Sequence, residues 1–304
     1  MAFTEGISLR TSHRGGVVKR LLLAILSCLA VSSVATALAQ QNQDTLKRIA
    51  ETHTIRLGYL KEGVPFSFAE REGRPMGYSI DLCQRVVAGI QRDLELAQLD
   101  IKWVELNESN RFDKVADGTV DLECGTSTNT LSRQKLVDFS LMIWADGGTF
   151  LVRPDQPVKS LADLSGKTIG VIEGTSTEKA LRQALSDQFV NARILLVKEH
   201  LEGLNALASS AIDAYAGDQT VLAGLALAVA SQTKLALAEL QFSFEPYGLA
   251  LRRNDADFKL AVNRTLARLF RSKQIIEVYE RWFGKLGKPT PMTIAVYVLN
   301  GLPE

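Results

Sequence analysis

The hydrophobic positions follow two different periods, which alternate along most of the chain. Polar and apolar residues alternate in "TIRLGYL" at 54–60, as in a half-buried strand. In "SIDLCQRVVAGIQRDLELA" at 79–97 the apolar residues recur every three or four positions, as in an amphipathic helix. Further strands are predicted for "IKWVEL", "DLEC", "GGTFLVRP", "KTIGVI", "ARILLV" and "YGLALRR". Strands that alternate with helices predict an α/β protein with mostly parallel sheets.

Two extended segments, at 145–152 and 242–247, divide the chain into an inner block and two outer pieces. The inner and outer parts have the same strand–helix rhythm, which predicts one domain inserted into another. Lobe 1 is predicted to be discontinuous, at 40–147 and 245–304, and lobe 2 to cover 148–244. Two hinge strands would join the lobes, and ligands of such sheets bind in the cleft between them.

The first residues are typical of an export signal. Four basic residues between positions 10 and 20 precede an apolar run from 21 to 38. The run ends in the small-x-small pattern of a signal-peptidase site at Ala39. A membrane anchor is the alternative, but the run barely reaches spanning length and contains several Ser and Thr. We therefore predict a cleavable signal peptide over 1–39 and a periplasmic mature protein.

The composition excludes several classes of function. The formal net charge is +1, and no basic patch indicates a nucleic-acid partner. The three histidines lack metal-ligand spacing, so we expect no metal and no cofactor. Cys83 and Cys124 remain after export and could form a disulfide or stay as two buried thiols, which the sequence leaves open. We expect a monomer.

One loop, "ECGTSTNTLSRQ" at 123–134, combines many hydroxyls with a single arginine. Thr130 is predicted to cap a helix that begins at Leu131, because its oxygen can accept an otherwise unpaired amide. Arg133 would then lie in the first turn, where a cation opposes the helix dipole. That position is reasonable if Arg133 binds a ligand carboxylate through its guanidinium fork. The alternative is a solvated surface arginine.

Two further loops complete a pattern suited to an α-amino acid. Thr175, Ser176 and Thr177 lie between a strand and a helix, where free amides and hydroxyls can cradle an anion or simply cap the helix. Asp218 follows a short strand and could pair with a ligand ammonium or act as an N-cap. An arginine for a carboxylate and an aspartate for an amine together indicate an amino-acid site.

In this order the motifs resemble one known family. They are "VPFSF", "GYSIDLC", "DLECGTSTNTLSRQKLVDFS", "IGVIEGTS", "DAYAGDQTVLAG", "PYGLALRRND" and "WFGKLG". The chain resembles the family 3 bacterial extracellular solute-binding proteins over about 45–290. Within that family it is most similar to the glutamate/aspartate-binding group, through "SNR", "KEH" and "KPTPMTIAVYVL". The resemblance implies the type II periplasmic binding fold, two α/β lobes joined by two hinge strands. It also implies a polar amino-acid ligand (glutamate, aspartate or their amides) and delivery to the membrane subunits of an ABC permease.

The resemblance also implies a role for individual residues. Arg133 and Thr128 would hold the ligand α-carboxylate, together with Thr175 and its neighbours from the second lobe. Asp218 would take the α-amino group, helped by oxygen atoms around Thr126. These residues recognise the part that every amino acid shares.

The residues expected around the ligand side chain depart from the family pattern. Arg111 and His200 match positions that surround the acidic side chain in the glutamate/aspartate group. Leu60 stands where that group has an arginine, and Glu108 where it has a small hydroxyl residue. One cation is lost and an anion is gained, which makes glutamine, asparagine or another polar amino acid a candidate. Alternatively, Lys61 could replace the missing charge.

Two other functions are compatible with the same fold. A secreted dehydratase-like enzyme would need a carboxylic acid as proton donor, for which Glu173 and Glu108 are candidates. A ligand-binding sensory protein would need a signalling partner. We predict a binding protein rather than an enzyme, because nothing in the sequence requires a catalytic group.

Overall fold

The computed structural model describes residue 1 and residues 44–70 and 73–303. The predicted signal peptide over 1–39, apart from residue 1, lies outside the described residues. All elements below belong to the unit that begins at Thr45. Within the described residues, no helix combines the length and apolar character needed to cross a membrane.

Helices and strands alternate along the chain, as the hydrophobic periods predict. The helices are α1 Thr45–Thr52, α2 Tyr78–Asp93, α3 Arg111–Ala116, α4 Ser176–Asp187, α5 His200–Ala208, α6 Gln219–Val229, α7 Ala256–Phe270, α8 Gln274–Phe283 and α9 Pro291–Asn300. The strands are β1 Thr54–Leu60, β2 Glu62–Gly63, β3 Ser67–Ala69, β4 Pro75–Met76, β5 Asp100–Leu106, β6 Leu122–Glu123, β7 Val137–Asp146, β8 Gly148–Val152, β9 Thr168–Ile172, β10 Arg193–Val197, β11 Ala214–Asp218, β12 Ala236–Leu237 and β13 Glu245–Arg252.

The strands form two five-stranded sheets with the same pattern of directions. The first sheet has the order β5-β1-β6-β13-β7 and the second the order β10-β9-β11-β8-β12. In each sheet the first two pairings are parallel and the last two antiparallel. The α/β class is confirmed, but the prediction of mostly parallel sheets is wrong. The strands that connect the two sheets run against their neighbours, and this produces the antiparallel half. A small sheet, β2-β3-β4, completes the described part.

The chain crosses between the sheets in two adjacent extended segments. Strand β7 leads into β8 through Gly147, and β13 returns to the first sheet from Glu245, which pairs with Asp146. The two segments are bonded to each other, since Gly148 N donates to Ser243 Oγ at 2.9 Å. A side chain at Gly147 would meet Ser243 O at 2.9 Å, so this close approach favours glycine. The sheets are thus joined near the two predicted hinges; the finer lobe boundaries remain a prediction.

An aromatic cluster lies beneath this crossing. The Trp144 and Phe283 rings stack with centroids 4.3 Å apart, and Phe66 packs edge-on against Tyr247 at 5.3 Å. Tyr247 is fully buried and pairs with Trp144 across the two crossing strands. Buried aromatic rings contribute large apolar areas to stability. The cluster therefore fixes the strands that border the cleft.

Cys83 and Cys124 are joined in a disulfide. This decides between the two states that the sequence leaves open. The bond connects α2 to the residue that follows β6, directly before the hydroxyl-rich loop. The two cysteines are 41 positions apart in the sequence, and a cross-link of this kind restricts the conformations of the unfolded chain.

Candidate ligand-binding cleft

Arg133 lies at the start of a short 3₁₀ turn, Arg133–Lys135, on the edge of the cleft. The predicted helix from Leu131 is wrong, because β7 begins at Val137 and leaves room for only one turn. Thr130 nevertheless accepts a hydrogen bond from Arg133 N at 3.2 Å. The Thr130 hydroxyl therefore accepts an amide proton as predicted, although the residue that precedes the turn is Ser132.

The guanidinium of Arg133 faces the opposite lobe. Its Nη1 donates to Thr128 O at 2.9 Å and to Ser176 Oγ at 3.5 Å, and its Cζ lies 4.8 Å from the Phe112 ring centroid. Burial, and secondarily the charge of Arg111, lowers the pKa of Arg133 to about 10. Within the described chain Arg133 forms no ion pair with a carboxylate. It is therefore a desolvated cation whose counter-ion can come from a ligand.

A hydroxyl network closes around one buried carboxylate beside Arg133. Glu245 is 2% exposed and accepts from Thr128 Oγ1 at 2.7 Å, Ser176 Oγ at 2.8 Å and Ser243 Oγ at 2.7 Å. Ser176 also lies 3.0 Å from Thr128 Oγ1. These contacts join the two lobes at the hinge. Glu245 was missed by the sequence analysis; the only available signal is an acidic residue at the start of a largely apolar strand.

The second lobe presents the start of α4 to the cleft. Thr175 is the N-cap, because its Oγ1 accepts from Glu178 N at 3.0 Å and donates to Ile172 O at 2.8 Å. The Thr175 hydroxyl is therefore used within its own loop. Ser176 and Thr177 follow in the first turn, where unpaired amides favour anions.

Asp218 ends β11 and points away from the helix that follows it. It accepts from Thr177 Oγ1 at 2.6 Å and from the Tyr247 hydroxyl, and no side-chain cap bond is formed with α6. Asp146 takes that role instead, accepting from Thr220 N at 3.0 Å. This favours the ligand-facing interpretation of Asp218 over the N-cap. Tyr247 and Asp146 were not singled out from the sequence.

The carboxyl groups of Asp218 and Asp146 both hold protons more tightly than usual. Burial, followed by the charge of Glu245, raises the pKa of Asp218 to about 6. Burial, followed by the charge of Asp218, raises the pKa of Asp146 to about 7. A nearby cation would stabilise their ionised forms. This end of the cleft is therefore suited to a ligand ammonium.

The end of the cleft opposite Asp218 contains Glu108, Arg111 and His200. Arg111 is 3% exposed and binds Glu108 at 2.6 Å between Nη2 and Oε2. His200 Nδ1 lies 2.9 Å from the Tyr215 hydroxyl, and burial lowers the pKa of His200 to about 4, so that its ring is neutral. Leu60 is 5% exposed, and Lys61 Nζ pairs with Glu105 at 3.1 Å with its side chain 61% exposed. Lys61 does not replace the missing arginine in this arrangement.

Two adjoining cavities run along these residues. The inner one, of about 40 Å³, brings together eight of the nine predicted ligand-binding residues: Arg111, Thr126, Thr128, Thr175, Ser176, Thr177, His200 and Asp218. Arg133, the ninth, borders a neighbouring depression with Thr128 and Ser176. The outer cavity, of about 230 Å³, shares Glu108, Ile172 and His200 with the inner one and extends past Leu60. The predicted set is thus gathered in one place; the role of each member stays a prediction.

Comparisons with known proteins agree with this architecture. Residues 55–285 match the family of bacterial extracellular solute-binding proteins, family 3. The chain is 33% identical over 267 residues to an L-glutamate/L-aspartate-binding protein of Pseudomonas aeruginosa, covering 87% of this chain and 88% of that one. It is 30% identical over 239 residues to a glutamate/aspartate import solute-binding protein of Escherichia coli K12, covering 79% of each.

A solved structure gives the same result for the fold. An ancestral amino-acid-binding protein described as a precursor of cyclohexadienyl dehydratase superposes with a TM-score of 0.68 and 27% identity. The match covers 79% of this chain and all of the other. The chain therefore belongs to the family 3 bacterial extracellular solute-binding proteins and has their two-lobed type II periplasmic binding fold.

Proposed function

We propose that the protein is the solute-binding component of an ABC importer, capturing a polar α-amino acid in its cleft and delivering it to the membrane permease subunits. The relatives named above bind glutamate and aspartate, which supports an amino-acid ligand. The observation that carries the proposal is Arg133, a desolvated guanidinium at the meeting point of two lobes that forms no ion pair with a carboxylate in the described part of the chain. The proposal includes export by the 1–39 signal, a periplasmic location and a monomeric state.

The two ends of the ligand backbone would have different partners. The α-carboxylate would bind Arg133, because a guanidinium suits carboxylate oxygens. Thr128 and Ser176 lie beside it and would bind the ligand once their hydroxyl protons turn from Glu245 to its carboxylate. The α-ammonium would bind Asp218, near the oxygen-rich region of Thr126. Thr128 and Arg133 belong to one lobe, Ser176 and Asp218 to the other, so that a bound amino acid holds both. Ligand contacts made only when the lobes meet would drive closure.

Neither of the two proton donors named from the sequence suits the enzymatic alternative. Glu173 is exposed, and Glu108 is engaged as the partner of Arg111. An acid catalyst needs a carboxyl group that is protonated and directed at the substrate. We therefore propose binding without catalysis, although a structural neighbour is described as the precursor of a dehydratase.

A thermal-shift panel tests the proposal. The ligand-stripped full chain would be melted with each of the twenty amino acids. A ligand at about 1,000 times its Kd adds about 4 kcal/mol, which raises the Tm of a chain this size by about 10 °C. We expect at least one polar amino acid to give such a shift. A panel with no shift would refute the proposal.

A further inference from the structure

The guanidinium of Arg111 is already neutralised inside the protein. Its Nη2 lies 2.6 Å from Glu108 Oε2, and its Nη1 donates to Glu108 Oε1 at 3.2 Å. Both side chains belong to the four-residue span 108–111 that leads into α3, so the pair is local. The Nε atom of Arg111 makes no contact of this kind and is buried without a hydrogen-bond partner in the described part of the chain. Such a donor is costly unless something binds it.

The other charged or titratable groups near the side-chain end leave this pair intact. Lys198 borders the outer cavity but is exposed. His200 is neutral, because burial lowers its pKa to about 4. Lys61 is paired with Glu105 and largely exposed. Glu123, which is fully buried, faces Arg111, and its burial raises its pKa. Ionised Glu123 would repel a second ligand carboxylate, and protonated Glu123 could offer it one O–H donor but no positive charge.

A dicarboxylic amino acid would therefore bind poorly at this end. Its side-chain carboxylate would have to take Arg111 from Glu108, and Glu108 would then be a partly buried anion beside another anion. Breaking a buried pair by removing one partner is strongly unfavourable. A cationic side chain gains little from this pair, because the Glu108 carboxylate is already engaged by Arg111.

A carboxamide fits these groups without breaking the pair. Its oxygen can accept from the unpaired Nε–H of Arg111, and its NH2 can donate to a free lone pair of Glu108. Both residues border the inner cavity, and Glu108 also borders the outer cavity, where a side chain can extend. We propose that the ligand is an α-amino acid with a neutral carboxamide side chain, glutamine or asparagine, and that the Glu108–Arg111 pair selects it over glutamate and aspartate. This inference rests on the proposed function.

Calorimetry on the ligand-stripped full chain tests the selection. Glutamine, asparagine, glutamate, aspartate and arginine would be titrated at one pH and ionic strength. We expect the better carboxamide to bind at least tenfold more tightly than its matching acid, and arginine to bind more weakly than either. Acid binding as tight as the amide overturns the inference but leaves the proposed function intact. Absence of binding by every amino acid overturns both.

The variant Glu108→Gln sharpens the test. It keeps the size of the side chain but removes the ion-pair partner of Arg111, so the affinity for glutamate should rise at least tenfold relative to that for glutamine. Glu70→Gln is the matched control, because Glu70 also pairs with an arginine of its own segment, Arg74 at 2.7 Å, on the exposed surface. The control should keep the wild-type preference. If both variants keep it, Glu108 does not select the ligand. Should Glu108→Gln fail to fold, the wild-type titrations decide alone.

Discussion

Two arginines of the cleft contact the same aromatic ring but have opposite electrostatic surroundings. The Cζ atoms of Arg111 and Arg133 lie 4.9 and 4.8 Å from the Phe112 centroid. Arg111 has Glu108 as an ion partner, whereas the guanidinium of Arg133 hydrogen-bonds a carbonyl and a hydroxyl and forms no ion pair within the described residues. Burial and ring contact are therefore poor guides to which arginine binds an anion. The internal counter-ion decides, because a buried cation that has none gains most from a charged ligand.

The strongest way to test this difference is Arg133→Met. Methionine keeps an apolar side chain beside Phe112 but removes the charge and the donors. We expect amino-acid affinity to fall by about 4 kcal/mol or more, roughly 1,000-fold, for every ligand that binds. The unliganded protein should keep its Tm within a few degrees, since the lost cation was desolvated. Calorimetry and thermal melts measure the two quantities.

A matched control for this variant is Arg182→Met. Arg182 is a half-exposed arginine of α4 that pairs with Glu178 at 2.9 Å. Exposed pairs contribute little, so ligand affinity should be unchanged. Near-native affinity in Arg133→Met would refute the assignment of the ligand carboxylate to Arg133.

A smaller loss is expected from Asp218→Asn. The change removes the charge that would pair with the ligand ammonium and replaces one acceptor oxygen by an NH2 group facing Thr177 or Tyr247. We expect about 2–3 kcal/mol weaker binding, roughly 30- to 150-fold, with all ligands affected alike. If Asp218→Asn binds its ligands as tightly as the wild type in calorimetry, the ligand ammonium binds elsewhere.

The contrast also explains how far sequence reasoning could reach. Local patterns predict the elements well: α2 and β1 lie where the periods place them, and Thr175 caps α4. Strand direction was predicted less well. Each crossing strand pairs with a neighbour that is distant in sequence, as when Glu245 pairs with Asp146. No local hydrophobic period encodes that pairing.

The same limit applies inside the cleft. Residues with a motif, such as Arg133 and Asp218, were found from the sequence. Glu245, Asp146 and Phe112 were not, because their importance comes from what lies opposite them in space. Glu108 was recognised as unusual, but only the structure places its carboxylate on Arg111. Sequence indicates which groups are present, and the fold determines which of them are already satisfied.

Acidic pH should weaken binding moderately. The pKa of Asp218 is raised to about 6, so its carboxyl group gains a proton below that pH and loses its attraction for an ammonium. We expect affinity about tenfold lower at pH 5.0 than at pH 7.5, measured by calorimetry at constant ionic strength. His200, with a pKa of about 4, stays neutral over this range.

In the unliganded protein, Asp218 should make acidic pH stabilising, which is opposite to its effect on ligand affinity. The folded pKa of Asp218 lies above the usual value of 3.8, so its contribution to stability increases as pH falls from about 6 towards 4. Asp218→Asn should flatten the part of the binding profile that is due to this carboxyl group. An unchanged slope in that variant would assign the pH dependence to Asp146 instead.

Phe112→Leu should have the smallest effect on ligand affinity, and it tests most directly whether the two arginines have different roles. Leucine keeps apolar contact with Phe139 but removes the ring from both guanidinium groups. A cation–π contact contributes about 0.5–1 kcal/mol, so affinity should fall roughly two- to fivefold through Arg133. The ratio of amide to acid binding should stay constant, because Glu108 still holds Arg111 by a direct ion pair. A large change in that ratio would mean that the ring, rather than the internal counter-ion, distinguishes the two arginines.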